Sequence, residues 1–137
     1  MLVKRSAAIR MFTAGDSTRL KELLHPAHDR ADVRFSFAFG QLGLSRSSLP
    51  HKLKQAEVYY ILRGRCRVHV GAKSSVLRTG DLAYVPAGAL QWLENTGWQT
   101  MKFLCIVDPA WTKAGEKVLG KRPKKQKVGA KVRRPRR

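Results

Sequence analysis

A few polar side chains interrupt otherwise apolar stretches of this chain and could do chemistry there. In "EVYYIL", Glu57 and Tyr59 fall on alternate positions with Ile61, and in "QWLEN" Gln91 falls on alternate positions with Leu93. Side chains alternate between the two faces of a strand, so each set shares one face. A carboxyl group, a phenol and an amide that are buried together can hydrogen-bond one another, with the carboxyl group keeping its proton.

Other reactive residue types predict surface or packing positions. His69 shares a face with Arg65 and Arg67, which predicts that it faces solvent. His25 and His28 flank a proline, where a surface turn is expected. The cysteines are expected in the core and the tryptophans in packing or at a dimer interface: Cys66, Cys105, Trp92 and Trp111. We find no serine or cysteine with a recognisable histidine partner and no glycine-rich phosphate loop.

The elements that must position these residues are predominantly strands. "VRFSFAF", "EVYYIL", "RCRVHV" and "MKFLCIV" all alternate with a period of two, and turn residues separate them. In the first segment Phe37 shares a face with Val33, Phe35 and Phe39, and in the last Phe103 shares a face with Cys105. Short alternating strands between turns predict an all-β antiparallel barrel or sandwich.

One segment predicts a helix instead. In "AGDSTRLKELLHP", Asp16 or Ser17 can cap a short N-terminal helix whose leucines repeat with helical spacing, and Pro26 ends it. We expect one or two helical turns packed on the barrel.

Charge divides the chain into two parts. Residues 117–137 hold 11 Lys or Arg and no acidic residue, whereas the preceding 116 residues hold 17 basic and 9 acidic side chains. We predict a barrel domain over residues 1–116 and a disordered basic C-terminal tail over residues 117–137. The absence of a long apolar run predicts no membrane span and no secretory signal, and two cysteines in core positions favour the cytoplasm.

Residues 80–95, "GDLAYVPAGALQWLEN", resemble the second motif of the cupin family, G-x5-P-x-G-x2-H-x3-N. The matching residues are Gly80, Pro86, Gly88 and Asn95. Gln91 stands where the family motif has histidine.

An upstream stretch, "PHKLKQAEVYYILRG", resembles the end of the first cupin motif, H-x-H-x3-E-x6-G. His51, Glu57 and Gly64 match, and Leu53 replaces the second histidine. Two motifs in order and correctly separated are a specific signal. The chain is similar to small single-domain cupins over roughly residues 12–112, so the resemblance implies a cupin-type antiparallel β-barrel, also called a double-stranded β-helix or jelly roll.

The resemblance also implies a metal site, because cupins of this kind bind a divalent metal through the histidines and glutamate of the two motifs. Carried over to this chain, the ligands are His51, Glu57 and Gln91, and the metal is Mn, Fe, Ni or Zn. The alternative is that these groups hydrogen-bond one another in a metal-free polar pocket. Tyr59, Phe37 and Phe103 are predicted to line the substrate pocket, with Tyr59 as a proton donor or substrate contact.

Three functions follow as hypotheses: a small metal-dependent enzyme of unnamed reaction, a non-catalytic metabolite-binding cupin, and a homodimeric platform whose tail binds nucleic acid or ribosomal RNA. The third depends on charge, since clustered cations bind phosphate backbones without sequence preference. The tail residues assigned to nucleic acid are Lys121, Arg122, Lys124, Lys125, Lys127, Arg133, Arg134, Arg136 and Arg137.

Overall fold

The protein is a sandwich of two antiparallel sheets, seen in a computed structural model that describes residues 1–120. Sheet A has six strands in the order β1-β2-β3-β10-β5-β8, and sheet B has five in the order β11-β4-β9-β6-β7. The strands of sheet A are β1 (Phe12–Thr13), β2 (Arg19–Leu24), β3 (Ser36–Leu42), β5 (Ala56–Arg63), β8 (Leu82–Val85) and β10 (Met101–Asp108). Those of sheet B are β4 (His51–Leu53), β6 (Arg65–Val70), β7 (Lys73–Arg78), β9 (Leu90–Asn95) and β11 (Glu116–Val118). The all-β antiparallel fold is confirmed.

The core lies between the two sheets and is made by the alternating residues of their inner faces. Ile61 of β5 and Phe103 of β10 face Leu93 of β9, and all three are fully buried. This confirms the alternation predicted for β5, β9 and β10. Burial of one face per strand is what holds two antiparallel sheets together.

The inner face of β3 carries small residues. Ser36 and Ala38 are the inward-facing residues, since Ala38 lies opposite the buried Cys105, whereas Phe37 lies opposite the partly exposed Ile106. The inner position next along the strand is Gly40, where an added Cβ would come within 2.4 Å of the Phe103 ring. The large side chain at this level of the core therefore comes from Phe103 of β10, and Gly40 of β3 leaves room for it.

The prediction of an N-terminal helix is wrong. Residues 19–24 form β2, which pairs with β3, and the helices among residues 1–120 are two short 3₁₀ turns, Ser6–Ala8 and Lys113–Gly115. The Asp16 side chain accepts hydrogen bonds from the backbone N–H and the hydroxyl of Thr18, which fixes a turn before β2. An aspartate that can cap a helix can equally close such a turn.

Strand β11 extends beyond residue 116, the predicted end of the barrel domain. Val118 pairs with His51 and Lys117 with Lys52 at the edge of sheet B. The remainder of the predicted disordered tail, residues 121–137, lies outside the described residues. In residues 1–120 we find no helix of the length and apolar character needed to span a bilayer.

Candidate functional site

A cavity of about 180 Å³ opens between the sheets at the end of the barrel where β5 begins and β10 ends. Its apolar wall includes Phe12, Leu53, Val107 and Trp111. Its polar lining includes Asp16, Glu22, His25, His51, Glu57, Cys105 and Glu116. The mixture of aromatic walls and a few converging polar groups is typical of a small-molecule site.

Three strands bring the residues predicted as metal ligands to this end of the core. His51 lies on β4 directly opposite Gln91 on β9, and Glu57 lies on β5 in the facing sheet. All three are buried, with exposed fractions of 2%, 1% and 6% for His51, Gln91 and Glu57. The alternation of β5 and β9 aims Glu57 and Gln91 inward, as the sequence predicted.

The Tyr59 hydroxyl joins two of these groups. It lies 2.6 Å from Gln91 Oε1 and 3.1 Å from Glu57 Oε1. A phenol has one proton to donate, and the shorter contact identifies the Gln91 amide oxygen as its acceptor. A protonated Glu57 can then donate to the Tyr59 oxygen, so that every group in the network is satisfied.

Burial favours that protonated form. Burial, with a smaller contribution from the nearby carboxyl group of Asp16, raises the pKa of Glu57 from 4.5 to about 8. The hydrogen-bonding contacts with Tyr59 and with the Cys105 thiol oppose the rise without reversing it. At neutral pH Glu57 is therefore a neutral carboxylic acid.

His51 presents one ring nitrogen to the cavity. Its Nδ1 lies 2.8 Å from the Leu49 carbonyl oxygen, which can only accept, so Nδ1 carries the proton and Nε2 the lone pair. Asp16 Oδ2 lies 3.8 Å from the same Nδ1. We find no hydrogen bond from residues 1–120 to Nε2, so this buried imidazole offers a free acceptor.

The structure adds polar residues to the cavity that the sequence did not place there. Asp16 comes from the turn before β2, and Glu116 comes from β11, about 100 residues later. Burial raises the pKa of Glu116. Burial and the neighbouring Glu57 raise the pKa of the Cys105 thiol well above its ordinary value, which makes it a poor nucleophile.

Two histidines are placed otherwise than predicted. His25 is buried rather than on the surface, and its Nε2 lies 2.8 Å from the Trp111 carbonyl oxygen. His69 is only partly exposed: it stacks on Trp92 with ring centroids 4.1 Å apart and lies 3.1 Å from Glu94 Oε1. Neither arrangement has a signal in the local sequence, since both depend on neighbours from other strands.

The predicted pocket residues divide between cavity and core. Phe37 borders the cavity. Tyr59 and Phe103 pack edge to face in the core, with ring centroids 5.7 Å apart and an interplanar angle of 71°. The tail residues assigned to nucleic acid, from Lys121 to Arg137, lie outside the described residues.

The residues present do not fit a metal ion. Among residues 1–120 no group of three or more His, Cys, Asp or Glu side chains is placed to hold one. The amide oxygen of Gln91 is engaged by Tyr59, and the buried Leu53 puts an apolar side chain where the motif has its second histidine. A metal centre needs donors that are free to converge on one point.

Asn95, the last residue of the second motif, has a structural role. Its Nδ2 donates to the carbonyl oxygens of Leu42, Gly43 and Gln99, and its Oδ1 accepts from the Gly97 backbone N–H. One buried amide thus holds the loop that follows β9 against the end of β3.

Comparison with known proteins agrees with this architecture. The family model of the cupin domain matches residues 43–107. An uncharacterized protein of Methanocaldococcus jannaschii is 29% identical over 112 residues, which cover 81% of this chain and 89% of that protein. The oxalate-binding protein of Thermotoga maritima is 33% identical over 51 residues, which cover 37% of this chain and 42% of that protein.

Solved structures show the same likeness. The crystal structure of a predicted oxalate decarboxylase from Thermotoga maritima superposes with a TM-score of 0.68 and 26% identity, over 79% of this chain and 99% of that one. The match to the cupin domain model, the two sheets and their inward-facing motif residues together place this chain in the cupin superfamily, as a small cupin with a single barrel in its described residues.

Proposed function

We propose that the barrel cavity binds one small organic molecule and needs no resident metal ion to do so. The observation that carries this proposal is the Tyr59 hydroxyl, which lies within hydrogen-bonding distance of both Glu57 and Gln91. Two of the three side chains that the motifs would offer to a metal are thereby committed to a protein partner. The cavity, with its free His51 acceptor, remains available to a ligand.

The charges around the cavity favour a cationic or hydrogen-bond-donating ligand. Four of the nine acidic residues of the chain line it: Asp16, Glu22 and Glu116, together with the neutral Glu57. Within residues 1–120 no Lys or Arg lines the cavity. An ammonium group would find acceptors on these side chains and on His51 Nε2, while its apolar body could lie against Phe12 and Trp111. A dianion such as oxalate, which a relative's name mentions, would meet carboxyl groups and no permanent positive charge.

The size of the cavity limits the ligand. About 180 Å³ corresponds to roughly six water molecules at liquid density, so the ligand has about that number of non-hydrogen atoms. n-Butylammonium, 1-butanol and butyrate are matched probes, because they differ mainly in charge.

Metal analysis and mass spectrometry of the purified protein test the first part of the proposal. We expect a substoichiometric metal content and no change in thermal stability after treatment with a chelator. A stoichiometric metal whose removal unfolds the protein would contradict it. Calorimetric titration with the three probes and oxalate then tests the ligand class, with n-butylammonium expected to bind best.

Variants of Glu116 and Glu94 localise that binding. Glu116→Gln removes a carboxyl group from the cavity wall, and Glu94→Gln is the matched control, since Glu94 lies on β9 beside His69 and outside the cavity. We expect the first variant to weaken n-butylammonium binding about tenfold, the equivalent of about 1.4 kcal/mol, and the second to leave it unchanged. Equal effects would place binding elsewhere.

We also propose that the basic C-terminal segment binds nucleic acid, as a second function separate from the cavity. Residues 121–137 contain ten Lys or Arg and no Asp or Glu. Such a segment binds phosphate backbones by releasing counterions, so affinity should fall steeply with salt. RNA binding by the full chain and by a chain ending at Gly120, measured over a salt series, tests this. Binding that survives the deletion would move the site to the barrel.

The buried free thiols of Cys66 and Cys105 support a cytoplasmic setting.

We also propose that the protein forms a homodimer through the outer face of sheet A. The outer face of β5, β8 and β10 exposes Tyr60, Leu82, Tyr84 and Ile106 side by side, and Tyr60 lies directly opposite Leu82. Contiguous apolar side chains of this kind are typical of protein interfaces. Sedimentation of Tyr84→Glu should show a monomer, whereas Leu44→Glu, at an exposed leucine outside these strands, should sediment like the wild type. A wild-type monomer would exclude the dimer.

A further inference from the structure

A second recess lies at the opposite end of the barrel from the cavity. It has a volume of about 280 Å³ and is lined by residues of three turns: Gly64, Arg65, Arg78, Thr79, Gly97, Trp98 and Gln99. These turns follow β5, β7 and β9. Glu57 and Gly64 are seven residues apart along β5 and its turn, which places the recess about 20 Å from the carboxyl groups of the cavity.

Two arginines face one another across the recess. Arg65, the first residue of β6, is in direct register with Arg78, the last residue of β7. Like charges directly opposite on neighbouring strands destabilise a sheet. Within residues 1–120 neither guanidinium forms an ion pair, and the nearby Asp81 carboxylate instead accepts from the Arg78 backbone N–H.

Arg65 also has an unsatisfied donor. Its Nε is buried and has no hydrogen-bond partner among the described residues, and the same is true of the Thr96 hydroxyl in the adjoining loop. The Thr96 backbone N–H donates to the Arg65 carbonyl oxygen, so the two residues are in direct contact. No acceptor among the described residues therefore holds the Arg65 guanidinium at Nε, and its terminal N–H groups are available to an anion with several oxygens.

The turns leave room for an anion and hold the recess in shape. Gly97 packs on Arg65, and a Cβ there would come within 3.4 Å of the Arg65 backbone. The Thr79 hydroxyl accepts from the Gly64 N–H, and Gln99 Oε1 accepts from Arg63 Nε, so both side chains are held by neighbouring turns.

We propose that this recess binds a phosphate group through the guanidinium groups of Arg65 and Arg78. The planar fork of an arginine matches the oxygens of phosphate, and a dianion between the two side chains turns their mutual repulsion into attraction to a shared partner. Within residues 1–120 the lining of the recess comes from the barrel and shares no residue with the lining of the cavity.

Isothermal titration of the full chain with inorganic phosphate tests the proposal, with chloride at equal ionic strength as the reference. We expect Arg65→Gln and Arg78→Gln each to weaken phosphate binding at least tenfold. Arg67→Gln is the matched control: Arg67 lies on the same strand, but its guanidinium donates to the Ser74 hydroxyl outside the recess. Residues 121–137 would bind the same amount of phosphate in the wild type and in the three variants. This background would therefore not obscure the loss of binding at the recess.

A stability measurement gives a second, independent readout. In phosphate-free buffer Arg78→Gln should raise the melting temperature, because it removes one of two opposed charges, and added phosphate should stabilise the wild type but not this variant. Phenyl phosphate distinguishes the source of the ligand: tighter binding than inorganic phosphate indicates a phosphate ester, and equal binding indicates the free ion. The proposal would be overturned if Arg65→Gln and Arg78→Gln both bound phosphate as tightly as the wild type, or if chloride stabilised the wild type as much as phosphate does.

Discussion

The Tyr59 hydroxyl lies 2.6 Å from the Gln91 amide oxygen across the interior of the barrel, and this contact links β5 of one sheet to β9 of the other. Both residues are almost fully buried. In a pocket where the motifs would place metal ligands, a protein hydrogen bond occupies the acceptor. Tyr59, Glu57 and Gln91 therefore satisfy one another without an ion.

Removing the Tyr59 hydroxyl should destabilise the protein. In Tyr59→Phe the Gln91 amide oxygen and the Glu57 carboxyl group lose a partner at buried positions, which costs about 1–3 kcal/mol. Urea denaturation measures the loss. Tyr60→Phe is the control, because Tyr60 is 41% exposed on the outer face of the same strand and should change stability little. Equal effects of the two substitutions would mean that the network adds nothing to stability.

The raised pKa of Glu57 makes stability depend on pH. The unfolded chain releases this proton near pH 4.5, whereas the folded protein keeps it until about pH 8. The folded state binds more protons between these values, so Glu57 lowers stability progressively as the pH rises from 4.5 to 8. Glu57→Gln should therefore gain stability relative to wild type across this window, by up to about 1.4 kcal/mol per pH unit. Denaturation curves at a series of pH values check this, and a constant difference would contradict the assigned pKa.

The substitution Gly40→Ala should destabilise the protein. An added Cβ would come within 2.4 Å of the Phe103 ring, which is itself buried and held between the sheets. Overpacking of this kind costs about 1–3 kcal/mol or more. Gly43→Ala is the control, since the nearest atom to its Cβ would be Arg46 Cγ at 3.6 Å. Thermal unfolding of the two variants should separate them clearly, and equal melting temperatures would contradict the tight packing at Gly40.

Restoring both motif histidines should create a metal site where the wild type has none. Gln91→His replaces the acceptor that Tyr59 engages, and Leu53→His adds a donor to the cavity wall near His51. We expect the double variant to bind Ni²⁺ or Zn²⁺ at least tenfold more tightly than the wild type, because affinity grows with the number of convergent imidazoles. Titration in a competing chelator measures the difference. A double variant without gain would show that the positions do not converge.

Alternation along single strands carried most of what the sequence could predict. It placed Glu57, Tyr59 and Gln91 on inner faces correctly, since each strand buries one face. Helical spacing of leucines misled the prediction for residues 19–24, because the pairing of β2 with β3 overrides it. Asp16 and Glu116 could not be predicted as neighbours, because only the sheet topology brings the turn before β2 beside β11.

Strand β10 occupies the middle of sheet A, between β3 and β5, although it is almost the last strand of the described chain. Residues 36–42 therefore pair with residues that lie 59 to 71 positions downstream. Pairing between distant segments slows folding, because the loop must close before the contacts form. During synthesis β3 and β5 have no shared neighbour until residues 101–108 have left the ribosome. The barrel is consequently completed late, and until then β3 and β5 each keep one unpaired edge, which is prone to aggregation.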